Sequence, residues 1–162
     1  MKKIRFRLNT YLKVLLVMSA MFISIVLLAF SGNQKIKINN ENQIAGSMKI
    51  KISVGNKVFT VTLENNPTAI AFKAKLPLKV DMSELHSNEK YFDLPSNLPS
   101  DPSNPKTIHT GDLMLYGSNT LVLFYKTFPT SYNYTMLGRI DNPLVLEDAF
   151  GSGSVTVTFE AK

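Results

Sequence analysis

Short segments in which apolar and polar residues alternate recur along most of the chain, and this pattern constrains the fold more than any other feature. Between Met48 and Val54 every second residue is apolar, and Gly55 and Asn56 then separate this run from a second one, Val58–Leu63. Alternation with a period of two places apolar side chains on one face of a β-strand. A Gly-Asn pair between two such runs is typical of a two-residue turn, because both residue types tolerate positive φ angles. The sequence therefore predicts a β-hairpin.

The same reasoning predicts more strands and two short helices. The predicted strands are Leu78–Leu85, Leu113–Tyr116, Leu121–Lys126, Met136–Ile140 and Ser154–Glu160, and Glu89–Leu94 is a shorter apolar segment after a polar turn. One helix is predicted to begin at Pro67 with Asn66 as its cap, and a second lies within Leu144–Phe150. Pro95–Pro105 contains four prolines and is predicted to be a loop. Six to eight strands with two short helices in one small domain predict a mainly β fold, either a barrel or a closed sandwich.

A basic start followed by an apolar run occupies the first 31 residues. Met1–Lys13 carries five basic side chains and no acidic one, and Val14–Phe30 is interrupted only by Ser19 and Ser24. This order is that of a secretory signal, whose basic flank stays inside the cell. The apolar run is slightly shorter than the about 20 residues of a spanning helix. Cleavage after Ser31 and retention as an inner-membrane anchor both stay open, and we expect an exported protein, periplasmic or at the cell surface.

The remaining chain is predicted to form one domain. Residues 1–31 are the signal peptide or membrane anchor, residues 32–46 are a polar linker, and residues 47–162 have the size of a domain that buries its own core. Outside the signal, the chain has 13 of its 18 basic residues and all 12 acidic ones, so the two charges nearly balance. Arg139 is the one arginine among these 13 basic residues. Nucleic-acid binding needs clustered basic side chains. We therefore expect no nucleic-acid partner, and the lack of cysteine excludes disulfides and thiolate sites.

No catalytic or metal-binding constellation is apparent in the sequence. Glu84, His86 and Glu89 are close together, but their segment is typical of a solvated turn and a metal would need a third strong ligand in fixed geometry. Asp112 follows Gly111 at the entrance of a strand, where a carboxylate usually accepts a backbone N–H. We expect no catalytic residue, no metal and no cofactor, and a monomeric protein.

The order of motifs along the chain resembles the cyclophilin-like family over nearly all of the domain. The resemblance rests on P-T-A-I-A-F at Pro67–Phe72, G-D-L-M-L-Y-G at Gly111–Gly117, L-G-R-I at Leu137–Ile140, L-V-L-E-D-A-F at Leu144–Phe150 and a closing V-T-V-T-F strand. It implies a cyclophilin-like closed β-barrel with two short helices. In cyclophilins it would also imply peptidyl-prolyl isomerase activity, in which a guanidinium stabilises the twisted amide beside an apolar pocket.

Two departures from the cyclophilin pattern bear on activity. The F-H-R motif that supplies the catalytic arginine is absent, and Arg139 falls at a variable position of the strand match. Tyr134 stands where cyclophilins have a pocket histidine. By this resemblance the ligand groove would contain Tyr116, Phe124, Tyr132, Tyr134 and Arg139.

These observations favour a binding domain that holds an extended peptide or small ligand in an aromatic groove, with little or no isomerase activity. Tyrosines on the loop Phe128–Thr135 suit such contacts, because their rings are rigid and their hydroxyl groups remain hydrated. Three alternatives stay open. One is an active prolyl isomerase that assists folding of envelope proteins, and a second is a lectin or substrate-capture module. The third is a closed barrel end that the same tyrosines merely seal.

Overall fold

A computed structural model describes residues 48–162 of the chain. The predicted signal or anchor and the predicted linker lie outside the described residues. Ten strands and two short helices follow one another in the described part. They are β1 Lys49–Val54, β2 Lys57–Leu63, α1 Pro67–Lys73, β3 Leu78–Leu85, β4 Glu89–Asp93, β5 Thr107–Ile108, β6 Asp112–Tyr116, β7 Thr120–Phe124, β8 Phe128–Pro129, β9 Thr135–Ile140, α2 Leu146–Phe150 and β10 Val155–Ala161.

Eight of these strands form a closed antiparallel barrel in the order β1-β10-β3-β4-β7-β6-β9-β2. The predicted mainly β barrel with two short helices is therefore confirmed. The hairpin of β1 and β2 also forms as predicted, although only Gly55 in its turn has a positive φ. No helix among residues 48–162 is long and apolar enough to cross a membrane.

The two helices form where local signals placed them. Asn66 caps α1 through its side-chain oxygen, which accepts a hydrogen bond of 2.8 Å from the Ala69 amide. Pro67 occupies the first turn, where its missing N–H is not needed. The second helix, α2, begins at Leu146, two residues after the start of the predicted segment. Both helices bury apolar side chains against the barrel core, among them Phe72 and Phe150.

Two separate apolar clusters stabilise the domain. The larger fills the barrel with side chains from the inner faces of all eight barrel strands, including Leu121 and Leu123 of β7. The smaller lies on the outer face of β6 and β7, where Met114, Val122 and Phe124 are covered by Ile108 and Tyr134. Because neighbouring strand residues point to opposite faces, β7 serves both clusters. This explains why β7 is apolar at almost every position.

The small outer cluster is covered by segments predicted only as loops. β5 pairs with β8, with Ile108 opposite Phe128, and forms a two-stranded ribbon. Ser103, in the proline-rich loop, exchanges two backbone hydrogen bonds with Tyr134, at 2.9 and 3.0 Å. The loop is thus tied to the segment that precedes β9, and its Leu98 is buried in the barrel core.

Candidate functional site

A cleft of about 420 Å³ opens on the outer face of β4, β6 and β7. Its walls come from the β3–β4 turn, the outward-facing residues of these strands and the loop before β9. The lining residues are Leu85, His86, Asn88, Glu89, Tyr91, Asp93, Tyr116, Thr120, Val122, Phe128, Tyr132 and Tyr134. Ligand-binding clefts commonly have volumes of about 300 to 1,000 Å³ and mainly apolar walls with a few polar groups. The cleft meets both conditions.

Tyrosine rings form one wall of the cleft. Tyr116, at the end of β6, lies edge-on to Tyr132 with 6.3 Å between ring centroids, and 5.6 Å from Tyr134. Tyr132 is 62% exposed, whereas Tyr134 is buried and packs against the Tyr116 ring. Burial, followed by the charge of Glu89, raises the pKa of Tyr134 to about 12, so its hydroxyl stays protonated at neutral pH. The wall therefore offers neutral aromatic faces and hydroxyl groups.

Phe124 supports this wall from beneath and does not line the cleft. It is fully buried, with its ring centroid 5.5 Å from that of Tyr134 and 5.8 Å from that of Phe128. A ligand would touch Tyr134 before reaching it. Phe124, predicted to lie in the groove, therefore supports the cleft wall from beneath.

Glu89 is the least exposed acidic residue that lines the cleft. It is 8% exposed, and its carboxyl group makes no hydrogen bond or ion pair with any other residue of the described range 48–162. Burial, with a smaller contribution from the charge of Glu84, raises its pKa from the ordinary 4.5 to about 7. An acid with a pKa near 7 exists in comparable amounts of its neutral and charged forms at neutral pH. Shifted pKa values of this kind cluster at functional sites.

The alternation of β4 explains how Glu89 reaches the cleft. Glu89, Tyr91 and Asp93 point outward, whereas Lys90 and Phe92 point into the barrel. The preceding turn is tight, since His86 and Ser87 both have positive φ angles. That turn sets the β3–β4 register, in which Leu85 is opposite Glu89. On its other side, Glu89 is opposite Phe124 of β7.

Lys90 is buried inside the barrel end and is fully engaged there. Its Nζ donates to a carboxylate oxygen of Glu84 and to the carbonyl oxygens of Gly151 and Gly153, the latter two at 3.1 and 2.6 Å. Burial opposes ionisation of Glu84, but hydrogen bonds from Lys90 and Tyr125 outweigh it and lower the pKa of Glu84. All three donors of the ammonium group are thus used, which leaves Glu89 without a counter-ion from its neighbour.

Arg139, also predicted to lie in the groove, is not among the residues that line this cleft. Its Nε donates to Asp112 Oδ1, and its terminal nitrogen lies 3.4 Å from His109 Nδ1. Asp112 and Arg139 are directly opposite each other in the β6–β9 pair, which explains the contact. The other oxygen of Asp112 accepts the His109 amide at 2.8 Å, the backbone contact expected of this carboxylate.

A family model described as the cyclophilin-like family matches residues 52–160. The chain belongs to the cyclophilin-like family. A solved neighbour is a hypothetical protein from Archaeoglobus fulgidus known from its solution structure, with a TM-score of 0.51 and 20% sequence identity over 73% of this chain and 97% of that chain. At this identity the likeness shows the shared fold alone. No curated protein matches the chain.

Within this cyclophilin-like barrel, the structure brings together three of the five residues predicted for the groove, Tyr116, Tyr132 and Tyr134. Sequence reasoning missed Tyr91, Asp93 and above all Glu89, which had been assigned to a solvated turn. The alternation of Glu89, Tyr91 and Asp93 was a usable signal, because it places all three on one strand face. Residues 48–162 contain no group of three His, Asp or Glu side chains positioned to hold a metal ion.

Proposed function

We propose that this cyclophilin-like domain binds an extended peptide or a small ligand in the tyrosine-lined cleft and has little or no prolyl isomerase activity. The observation that carries the proposal is the cleft itself. It combines an apolar wall with a deep carboxyl group and opens beside β4. Along β4, side chains that line the cleft alternate with side chains that point into the barrel. Extended ligands suit such a surface, because their side chains also alternate in direction.

The position of Arg139 supports the view that isomerase activity is weak or absent. Prolyl isomerisation must overcome a barrier of about 18–20 kcal/mol, and cyclophilins lower it by directing a guanidinium at the twisted amide. Arg139 is the one arginine of residues 48–162, and its Nε is bound to the buried Asp112 away from the cleft lining. A ligand in the cleft would meet carboxyl, hydroxyl and amide groups instead.

Family membership favours a second candidate, an active prolyl isomerase that assists folding of envelope proteins. A protease-coupled assay with proline-containing tetrapeptides separates the two, using the full chain in an uncharged detergent. Tyr132→Ala removes an exposed ring from the cleft wall. Leu144→Ala is the matched control, because Leu144 is 88% exposed and does not line the cleft.

We expect no acceleration above the uncatalysed rate, together with peptide-induced shifts of the tyrosine NMR signals that Tyr132→Ala weakens. A rate that rises with protein concentration, disappears in Tyr132→Ala and persists in Leu144→Ala would replace the binding proposal with the enzyme. Phe124→Ala is unsuited to this test, because loss of a fully buried ring disturbs the fold itself.

We further propose that the domain acts as a monomer outside the cytoplasmic membrane. The support is the basic and then apolar order of residues 1–31, which is that of an export signal. Fractionation of cells that express the full chain tests this proposal, and recovery of the protein in the cytosol would refute it.

A further inference from the structure

The charged groups of the cleft carry one sign. Glu89 lies deep in it and Asp93 lies at its edge, whereas no lysine or arginine is among the lining residues. Asp93 is exposed and accepts a hydrogen bond of 2.6 Å from the Thr120 hydroxyl. His86, exposed in the β3–β4 turn, is the one basic side chain of the lining. Electrostatic complementarity therefore favours a cationic ligand.

The surroundings of the Glu89 carboxyl group are a second reason to expect a cationic ligand. Buried carboxylates are normally paired or hydrogen-bonded, because removing an ionised group from water is costly. Glu89 is more than nine-tenths buried and its carboxyl group forms no hydrogen bond or ion pair within residues 48–162, yet it borders an open cleft. A ligand that brings a positive charge would provide the missing partner.

The domain already contains the arrangement that such a ligand would complete. At the barrel end, the Lys90 ammonium binds Glu84 and lies 5.5 Å from the centroid of the Tyr125 ring. Aromatic rings attract cations through the negative charge of their faces, most strongly where water is excluded. The cleft presents the same two components, a carboxyl group and tyrosine rings.

We propose that the cleft binds an organic cation of the alkylammonium class, with the ammonium group on Glu89 and the alkyl chain against Tyr116, Tyr132 and Tyr134. This inference rests on the proposed function and names the chemistry of its ligand. The cation is either the side chain of a lysine in an extended peptide or a free alkylamine.

Protonation of Glu89 should weaken this binding. Groups that face Glu89 are Glu84 from β3, Tyr125 after β7 and Tyr134 before β9, while His86 and Asp93 share the cleft with it. An acid with a pKa of about 7 is mostly ionised at pH 8 and mostly neutral at pH 6. Affinity for the ammonium group is therefore expected to be about tenfold lower at pH 6 than at pH 8. His86 also lines the cleft, so a His86→Gln variant separates its contribution from that of Glu89.

The test uses the full chain in an uncharged maltoside detergent and NMR signals of labelled tyrosines. The probes are n-butylammonium and its neutral counterpart n-butanol, followed by acetyl-Ala-Lys-Ala-amide and the same peptide with norleucine in place of lysine. Glu89→Gln removes the charge without changing the shape of the side chain. Glu160→Gln is the matched control, because Glu160 pairs with Lys51 on the barrel surface and does not line the cleft.

We expect n-butylammonium to shift the NMR signals of the cleft tyrosines at lower concentrations than n-butanol does. Glu89→Gln should weaken the binding of n-butylammonium about tenfold at pH 8, as loss of a charged hydrogen bond does. The pH dependence should vanish in Glu89→Gln and persist in His86→Gln and Glu160→Gln. If Glu89→Gln fails to fold, the pH dependence of the unmodified chain and the loss of binding in Tyr132→Ala decide the matter. Tighter binding of the lysine peptide than of n-butylammonium would identify a peptide source, and the reverse order a free amine.

Equal binding of the charged and neutral probes, or unchanged binding in Glu89→Gln, would overturn the inference. If the norleucine peptide bound as well as the lysine peptide, the proposed peptide-binding function would stand and the cation preference would fall. If no probe shifted the cleft tyrosines, both would fail.

Discussion

Replacement of Glu89 by glutamine is expected to stabilise the domain, and only at pH values where Glu89 is ionised. The folded state raises the pKa of this carboxyl from 4.5 to about 7, so folding disfavours the charged form. Below pH 4.5 the carboxyl group is neutral in both the folded and the unfolded state, and the variant should match the native chain. Above pH 7 the carboxyl is ionised in both states, and the folded state bears the full cost of burying the charge.

The magnitude follows from the size of the pKa change. A change of one pKa unit corresponds to about 1.4 kcal/mol of free energy. The rise of the Glu89 pKa from 4.5 to about 7 therefore lowers the free energy of unfolding by about 3 kcal/mol above pH 7. For a domain of this size about 1 kcal/mol shifts the unfolding midpoint by about 4 °C. The variant should therefore unfold about 10 °C higher than the native chain at pH 8 and only slightly higher at pH 5.

Thermal unfolding of the full chain, followed by circular dichroism at pH 5 and pH 8, measures this difference. Glu160→Gln carries the same change of net charge at an exposed ion pair, and it should shift the midpoint by a degree or two of either sign at both pH values. A Glu89→Gln midpoint equal to or below that of the native chain at pH 8 would refute the assignment of a buried, unpartnered carboxyl. Combined with weaker ammonium binding, a stabilised variant would show that the native chain keeps a destabilising group for function.

Four further substitutions test the packing, each through the free energy of unfolding in urea. Gly138→Ala should destabilise the domain by about 3 kcal/mol, because the new methyl group would overlap the Thr62 carbonyl. Gly117→Ala, its control, should lower the free energy of unfolding by only about 1 kcal/mol. Space is open at Gly117, and the cost there comes only from its φ of +61°. Phe124→Ala should cost about 3 to 4 kcal/mol by leaving a cavity under the cleft wall, and a loss below 1 kcal/mol would contradict its burial. Lys90→Met should cost about 3 kcal/mol by leaving Glu84 without its counter-ion and two backbone carbonyls without their donor, and a neutral result would show that the buried ammonium group is dispensable.

The strands and helices that carry local signals were predictable from the sequence. The β1–β2 hairpin has alternation and a Gly-containing turn, and α1 has the Asn66 cap and Pro67, so each is specified within a few residues of chain. By contrast, β5 and β8 are two residues long and show no period. They form because Ile108 and Phe128 cover the outer apolar cluster, which is a tertiary effect.

The site was predictable only in part, because its decisive contacts join distant segments. Tyr116, Tyr132 and Tyr134 could be grouped from the composition of one loop and one strand end. The capture of Arg139 by Asp112, however, depends on the β6–β9 register across 27 residues. The isolation of Glu89 similarly depends on Lys90 pointing into the barrel toward Gly151 and Gly153, about sixty residues away.

The ionisation of Glu89 itself tests the account most directly. Carbon-detected NMR of the side-chain carboxyl in the full chain reports its pKa with and without saturating n-butylammonium. We predict a pKa near 7 in the free protein and a lower value in the presence of the cation, because a bound positive charge favours the ionised form. A carboxyl that titrates near 4.5 in the free protein, or one whose pKa does not respond to the cation, would contradict the account.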